Sequence, residues 1–153
     1  MIKLKYVNYG VVFQEIPNEI TLAINISNCP YKCEGCHSNY LWEDTGNYVD
    51  DDIDKLLKKY DGMITCVCFM GGDQGIDDLI NLLQMIQNKG IKTALYTGAD
   101  DISIVSLAIP YLDFLKIGSY KQNLGGLNLK TTNQKFYKIQ NSKLIDKTYL
   151  FQK

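Results

Sequence analysis

The sequence predicts an α/β fold built as an open, partial barrel of four to six parallel strands. Strand and helix patterns alternate three times after a cysteine-bearing loop, and such alternation implies a parallel sheet with right-handed crossovers. A closed eight-stranded barrel typically needs about 250 residues, and this chain has 153. Hydrophobic residues make up 46% of the chain, which suits a sizeable core in a single domain over residues 1–153.

The chain begins with extended segments. It is expected to run extended from Leu4 to Phe13 and then to turn at Pro17 and Asn18. A strand from Ile20 to Ile26 follows, because apolar and smaller residues alternate there. This strand leads directly into the loop that carries the cysteines.

The first helix is predicted to begin among the aspartates at positions 50–52, since acidic side chains favour the amino end of a helix. Gly62 can end it. Its buried face follows the helical spacing i, i+3, i+4 and i+7 and consists of Ile53, Leu56, Leu57 and Tyr60.

Two strand–helix units, one further strand and a hairpin complete the predicted fold. The elements expected in the units are a strand from Met63 to Met70, a helix from Ile76 to Asn88, a strand from Ile91 to Tyr96, a short helix from Asp100 to Leu107 that ends before Pro110, and a strand from Leu112 to Ile117. The C-terminal hairpin is expected to join the segments 136–140 and 144–151 through Asn141 and Ser142.

Composition limits the classes of partner and the compartment. The net charge is −1, which gives no reason to expect nucleic acid or an anionic membrane as partner. No apolar run reaches the roughly 18 residues of a membrane span, and the start lacks the apolar core of a signal peptide. We therefore expect a cytoplasmic protein. Five cysteines in a reducing compartment favour metal binding over disulfides.

Three of these cysteines carry the clearest chemical signal. Cys29, Cys33 and Cys36 follow the pattern Cys-x3-Cys-x2-Cys. Iron–sulfur clusters are held by thiolates, and a cubane held by only three of them leaves one iron open to another ligand. A structural zinc site is the alternative. Zinc usually takes four Cys or His ligands, and His37, directly after Cys36, is awkwardly placed to be the fourth.

The residues at the ends of the predicted strands supply the other candidate groups. In parallel α/β folds, ligands bind beyond the carboxyl ends of the strands. Glycines let the backbone approach a ligand, a carboxylate can accept from an amine, and a lysine can pair with a carboxylate. A pocket for a ligand with an amine, a carboxylate and a ribose would use the groups found there: Gly71, Gly72, Asp73, Thr97 and Lys116.

Simpler interpretations stay open for several of these residues. Gly71 and Gly72 can form only a tight turn, and Lys116 can be a solvated lysine. Cys66 and Cys68 lie two apart in a predicted strand and so share one face. They are expected to be buried core thiols, because free cysteine is commonly buried.

The cysteine triplet followed by the Gly-Gly-acid pattern resembles the radical S-adenosylmethionine superfamily. Two further motifs are similar to the small activating proteins of anaerobic ribonucleoside-triphosphate reductases, and the resemblance runs from Val12 through Tyr137. These motifs are Glu34-Gly35-Cys36 and Thr131-Thr132-Asn133-Gln134-Lys135. Many superfamily members have an aromatic residue in place of Gly35 and Glu in place of Asp73; the glycine favours the reductase-activating subgroup.

The resemblance implies a fold, a cofactor set and roles for residues. The fold would be an open partial (β/α) barrel of the radical S-adenosylmethionine type, with N-terminal extended strands and a C-terminal hairpin. Cys29, Cys33 and Cys36 would ligate a 4Fe-4S cluster, whose fourth iron would bind S-adenosyl-L-methionine. With the groups at the strand ends, the expected cofactor contacts are Gly35, Cys36, His37, Gly71, Gly72, Asp73, Thr97 and Lys116.

The implied activity is that of a glycyl-radical-enzyme activase. The reduced cluster would cleave S-adenosylmethionine, and the resulting 5′-deoxyadenosyl radical would take a hydrogen atom from a glycine of an anaerobic ribonucleoside-triphosphate reductase. The expected partners are that reductase and a flavodoxin- or ferredoxin-like electron donor. The alternatives are an activase of pyruvate formate-lyase type, a small-molecule radical enzyme such as a deazaguanine-forming one, and a non-catalytic zinc or electron-transfer module.

Overall fold

The computed structural model describes residues 2–29 and 43–152. Within this part of the chain there are two α-helices and eight strands. The helices are α1 (Val49–Lys59) and α2 (Ile76–Asn88). The strands are β1 (Lys5–Val12), β2 (Thr21–Ile26), β3 (Asn47–Tyr48), β4 (Cys66–Met70), β5 (Lys92–Tyr96), β6 (Phe114–Ile117), β7 (Lys135–Gln140) and β8 (Lys143–Asp146).

The strands form one open sheet in the order β3-β1-β2-β4-β5-β6-β7-β8. Its centre is parallel: β2, β4, β5 and β6 pair in the same direction. Antiparallel strands flank this centre on both sides, with β1 and β3 beyond β2 and the β7–β8 hairpin beyond β6. The predicted α/β class and the open sheet are thus confirmed, whereas the partial barrel and the single domain over 1–153 stay predictions.

One face of the sheet, called here the helix face, packs against α1 and α2. Alternate strand residues point to each face of a sheet. On the helix face they are fully buried aliphatic and aromatic side chains, such as Ile24, Phe69 and Leu95. The helices meet them with the stripes formed by Ile53, Leu56, Leu57, Leu79, Leu82, Leu83 and Ile86.

The opposite face, called here the second face, is covered differently. Ile16 comes from the turn between β1 and β2 and is fully buried against it. The hydroxyl group of Tyr96 donates to the carbonyl oxygen of Glu15 and so fixes that turn on the sheet. The small core on this face contains Ile16, Cys66, Cys68, Ala94, Phe114 and Phe136.

The two amphipathic helices agree closely with the sequence. The predicted bounds of α2 are those observed, and α1 begins at Val49, next to the three aspartates. Tyr60, predicted on the buried face of α1, lies directly after its end and is half-buried. On α2, helical spacing predicts an inward face of Ile76, Leu79, Ile80, Leu83 and Ile86. Leu82 also takes a core position, whereas Ile76 and Ile80 are only partly buried. Helical periodicity located the buried faces to within one position.

Three predicted elements are corrected by the structure. The expected helix from Asp100 to Leu107 is a 3₁₀ helix over Ile102–Tyr111 that includes Pro110; its β-branched residues disfavour an α-helix, and the fixed φ of proline suits 3₁₀ geometry. The second hairpin strand ends at Asp146, and a 3₁₀ helix, Thr148–Phe151, follows. The strand predicted from Met63 begins only at Cys66. Among the described residues, no helix has the length and apolarity to cross a membrane.

Candidate functional site

The cysteine-bearing segment leaves the sheet at the carboxyl end of β2. The backbone N–H of Ser27 donates to the carbonyl oxygen of Lys5 (3.0 Å), and that of Asn28 donates to the carbonyl oxygen of Glu43 (2.9 Å). Residues 28 and 43 therefore meet, and the segment between them starts and ends at one point. Cys29 is half-buried at this point. Cys33, Gly35, Cys36 and His37 lie outside the described residues.

The loop after β4 contains the two glycines of the predicted pocket. Gly71 and Gly72 have φ angles of 104° and 133°, a region that favours glycine. The N–H of Gly71 donates to the carbonyl oxygen of Tyr96 (2.8 Å). A Cβ on Gly72 would lie 3.3 Å from the Leu79 side chain. Backbone geometry and packing thus account for both glycines, and the Gly71 N–H is already used within the fold.

Gln74 joins this loop to the cysteine-bearing segment. Its side-chain amide nitrogen donates to the carbonyl oxygen of Ser27 at 2.5 Å. The side-chain oxygen of Gln74 is buried and has no hydrogen-bond partner among the described residues. Sequence reasoning missed Gln74, because nothing local in the pattern connects it to a residue 47 positions earlier.

Thr97 positions the predicted carboxylate. Its side chain is almost fully buried, at 2% exposure. The hydroxyl group donates to Asp73 and accepts from the N–H of Ala99 (3.0 Å). The backbone N–H of Thr97 donates to the carbonyl oxygen of Lys116 (2.9 Å). Thr97 therefore holds Asp73 in place rather than offering an exposed hydroxyl group of its own.

A row of side chains crosses the second face near the carboxyl ends of the strands. Asn25 pairs with Met70, Met70 with Tyr96, and Tyr96 with Lys116. The amide nitrogen of Asn25 donates to Asn8 Oδ1 (2.5 Å), and Lys116 Nζ lies 5.4 Å from the centroid of the Tyr96 ring. Sequence reasoning identified Lys116 in this row and missed Asn25.

Burial controls the charge state of three groups on this face. Tyr96 is deeply buried, and burial raises the pKa of its phenol well above the ordinary value. Cys66 has no exposed surface; burial, with a smaller contribution from the Glu19 carboxylate, raises the pKa of its thiol to about 12. Burial likewise raises the pKa of Cys68. The prediction that these cysteines are buried core thiols is confirmed.

The loop after β6 is fixed by the motif that carries part of the resemblance. Thr131 and Thr132 donate from their hydroxyl groups to the carbonyl oxygens of Leu124 (2.7 Å) and Gly125 (2.9 Å). The next two side chains also donate to backbone carbonyl oxygens. The amide of Asn133 donates to the carbonyl oxygen of Ser119 (3.1 Å), and that of Gln134 donates to the carbonyl oxygen of Gly118 (3.3 Å). Every one of these bonds closes the loop on itself.

Asp100 completes this loop. It accepts from the N–H (2.9 Å) and the hydroxyl group (3.1 Å) of Ser119, and the backbone bond is the main reason that the pKa of this carboxyl group lies below its usual value. Asp100 is therefore a structural acceptor at the carboxyl end of the sheet.

The donor chemistry of the described residues bears on where a metal centre can lie. In ranges 2–29 and 43–152, no group of three His, Cys, Asp or Glu side chains is arranged to hold a metal ion. Cys66 and Cys68 are buried thiols with raised pKa values, which makes them poor ligands. Cys29 lies where the cysteine-bearing segment leaves the sheet. Among the described cysteines, it is the one that can ligate a cluster held by the triplet.

Comparison with known families agrees with this donor chemistry. A family model described as "4Fe-4S single cluster domain" matches residues 20–140, which is most of the chain and includes the whole triplet. The chain belongs to this family and is therefore a 4Fe-4S cluster protein. No curated protein sequence matches it.

The structure brings most of the described candidates to one edge of the sheet. Cys29, Gly71, Asp73 and Thr97 follow the carboxyl ends of β2, β4 and β5. Lys116 lies next to the end of β6. Their contacts with a cofactor stay predictions, as do those of Gly72 and of the residues outside the described ranges.

We predict that Thr97→Val lowers the free energy of unfolding by about 1–3 kcal/mol, because it removes the buried hydroxyl group that donates to Asp73 and accepts from the N–H of Ala99. Urea denaturation measures this change. Thr97→Ser keeps the hydroxyl group and serves as the control, with stability near that of the parent. A valine variant as stable as the parent would contradict the positioning role of Thr97.

We also predict a pH dependence from Cys66. Its folded pKa of about 12 lies above the ordinary value of 9.0, so the folded state keeps a proton that the unfolded state loses. The stabilisation is complete below pH 9 and disappears as the pH rises to about 12. Urea denaturation over this range should show a steeper fall for the parent than for Cys66→Ala, by up to about 1.4 kcal/mol per pH unit. Equal pH dependence of stability in the parent and in Cys66→Ala would contradict this prediction, because it would mean that the Cys66 thiol is not shielded from water in the folded state.

Proposed function

We propose that the protein is a radical S-adenosylmethionine enzyme that generates a glycyl radical on an anaerobic ribonucleoside-triphosphate reductase. The observation that carries this proposal is the joining of strand ends around the cysteine-bearing segment. Gln74 ties the loop after β4 to Ser27, two residues before Cys29. Thr97 holds the Asp73 carboxylate beside the same loop. A cluster on the triplet would therefore lie near the Asp73 carboxylate, which Thr97 holds in place, and near the edge of the sheet that carries Lys116.

The residues at this edge suit a ligand that bears both an amine and a carboxylate. Asp73 would accept from the amine, and Lys116 would pair with the carboxylate or a ribose hydroxyl group. Gly35, Cys36 and His37 would contribute backbone groups near the adenine, and the Gly71–Gly72 turn would place its backbone beside the amine. Cys29, Cys33 and Cys36 would hold the cluster.

The chemistry itself belongs to the cofactors. When bound, the reduced cluster would supply one electron for cleavage of the S–C5′ bond of S-adenosylmethionine, and the products would be methionine and a 5′-deoxyadenosyl radical able to take hydrogen from a glycine Cα. The chain's own residues bind, orient and exclude water. The second face is not covered by α1 or α2, and this openness suits a partial barrel that a loop of a protein substrate can enter.

Several parts of the proposal rest on the resemblance. The reductase as substrate and a flavodoxin- or ferredoxin-like electron donor are of this kind. The cytoplasmic location rests instead on the sequence, which has no apolar run long enough to span a membrane. The rival proposals are an activase of pyruvate formate-lyase type and a non-catalytic zinc or electron-transfer module. Experiment distinguishes each of them from the proposed activity.

Anaerobic reconstitution with iron and sulfide tests the proposal. We expect a brown protein that converts S-adenosylmethionine to 5′-deoxyadenosine in the presence of a strong reductant. Cys29→Ala should abolish this cleavage, because it removes one of only three ligands. Cys66→Ala is the matched control: it removes a buried thiol away from the triplet and should retain both the colour and the cleavage.

Three results would count against the proposal. A colourless zinc protein that leaves S-adenosylmethionine intact would support the non-catalytic alternative. Undiminished cleavage by Cys29→Ala would show that the ligands are assigned wrongly. Cleavage followed by a glycyl radical on a pyruvate formate-lyase, with none on the reductase by electron paramagnetic resonance, would reassign the partner.

A further inference from the structure

Gln74 is the side chain that connects the loop after β4 to the base of the cysteine-bearing segment. Its amide nitrogen donates to the carbonyl oxygen of Ser27 at 2.5 Å. Ser27 is almost fully buried, at 1% exposure, so its carbonyl oxygen depends on a donor from the protein rather than from water. The bond lies two residues before Cys29 in the chain, and the proposed chemistry gives Gln74 no role of its own.

The donor side of this bond is held on a rigid turn. Gln74 lies in the short 3₁₀ helix Asp73–Gly75 that directly precedes α2. A Cβ on Gly75 would lie 2.9 Å from both the carbonyl oxygen of Ile2 and the side chain of Leu4. Only glycine allows this close approach, and the turn therefore packs directly against the N-terminal residues. The Gln74 side chain starts from a fixed position.

The acceptor side is the peptide group that leads towards Cys29. The amide of Gln74 donates to the carbonyl oxygen of Ser27, and the N–H of Asn28 donates to the carbonyl oxygen of Glu43 (2.9 Å). Both groups belong to the planar Ser27–Asn28 peptide, so two bonds hold the two sides of one plane. Asn28 then turns the chain with a φ of 59°, a left-handed conformation that asparagine tolerates. The direction in which the chain enters Cys29 is therefore set by this peptide.

The oxygen of the Gln74 amide argues against a packing role alone. Gln74 Oε1 is buried, and no group in the described part of the chain donates to it. Burying an amide oxygen without a donor costs free energy. A methionine of similar size would fill the same space without this cost. The glutamine is therefore explained by its amide N–H group, which has a specific acceptor at Ser27.

We propose that Gln74 is a positioning residue for the 4Fe-4S cluster. By holding the carbonyl side of the Ser27–Asn28 peptide, it fixes the direction in which Cys29 meets its iron and thereby sets how firmly the cluster is retained. Loss of a group that orients a metal ligand without touching the metal typically lowers metal affinity about 10–100-fold. The inference rests on the cluster that the family provides and not on cleavage of S-adenosylmethionine.

Gln87 offers a matched comparison on the same sheet. Like Gln74, it is half-buried, and its amide nitrogen donates to a backbone carbonyl oxygen, that of Tyr111, at 2.9 Å. It also lies 3.4 Å from the hydroxyl group of Thr93, near the amino end of β5. This is the edge of the sheet opposite the cysteine-bearing segment. Removing either amide takes a hydrogen bond from a backbone carbonyl group, so the two changes should lower stability by similar amounts.

The test follows the loss of iron from the full chain after anaerobic reconstitution, without S-adenosylmethionine, to the ferrous chelator bathophenanthroline disulfonate. We expect Gln74→Met to lose iron about tenfold faster than the parent or more. We also expect the visible circular dichroism of its cluster to change, because Cys29 meets its iron at a different angle. Gln87→Met should keep the parental rate and the parental spectrum. Far-ultraviolet circular dichroism checks that each variant is folded.

The outcomes decide the role of Gln74 separately from the proposed function. Equal rates of iron loss in the parent and Gln74→Met would overturn the positioning role, and so would equally faster loss in both methionine variants. If Gln74→Met does not fold, Gln74→Asn decides instead, because its shorter stem weakens the bond: faster loss than the parent supports the role, and a parental rate and spectrum overturn it. A parent that retains its cluster but leaves S-adenosylmethionine intact would overturn the proposed function, while the rates would still decide the role of Gln74.

Discussion

The parallel pairing of β2, β4, β5 and β6 is the constraint on which the candidate site depends. Because these strands run in the same direction, the loops that follow them meet at one edge of the sheet. Backbone bonds continue the ladder past the strand ends, from the Gly71 N–H to Tyr96 and from the Thr97 N–H to Lys116. The loops are therefore held in fixed register, and the cysteine-bearing segment starts from a rigid base.

The two faces of the sheet have different roles: the helix face supplies most of the core, and the second face carries the polar residues of the candidate site. The helices bury the aliphatic side chains of the helix face, which supplies most of the core. On the second face, Ile16 and the aromatic residues near Phe136 form only a small core, and polar residues such as Asn25 and Lys116 occupy the row near the strand ends. A cofactor or a partner loop would approach this face near the carboxyl ends of the strands.

Sequence reasoning predicted the structural features that depend on local sequence pattern. Periodicity gave the bounds of α2, and the strand ends gave the positions of Asp73 and Thr97. It did not give the bond from Gln74 to Ser27 or the role of Thr97 as a holder of Asp73, because contacts 47 and 24 residues apart leave no local trace. The short helix predicted from Asp100 to Leu107 is a 3₁₀ helix over Ile102–Tyr111, and its type and bounds were not predicted because an apolar, β-branched segment gives a weak signal for any one helix type.

Direct contact between the cluster and S-adenosylmethionine is the step from which the proposed function follows. Electron–nuclear double resonance measures it on the reconstituted, reduced protein, using S-adenosylmethionine with isotopically labelled carboxylate oxygen. We expect a hyperfine coupling between the cluster spin and the label, because three cysteines leave one iron open to the carboxylate. A cluster spectrum that labelled S-adenosylmethionine leaves unchanged would contradict this proposal and favour a cluster that only carries electrons.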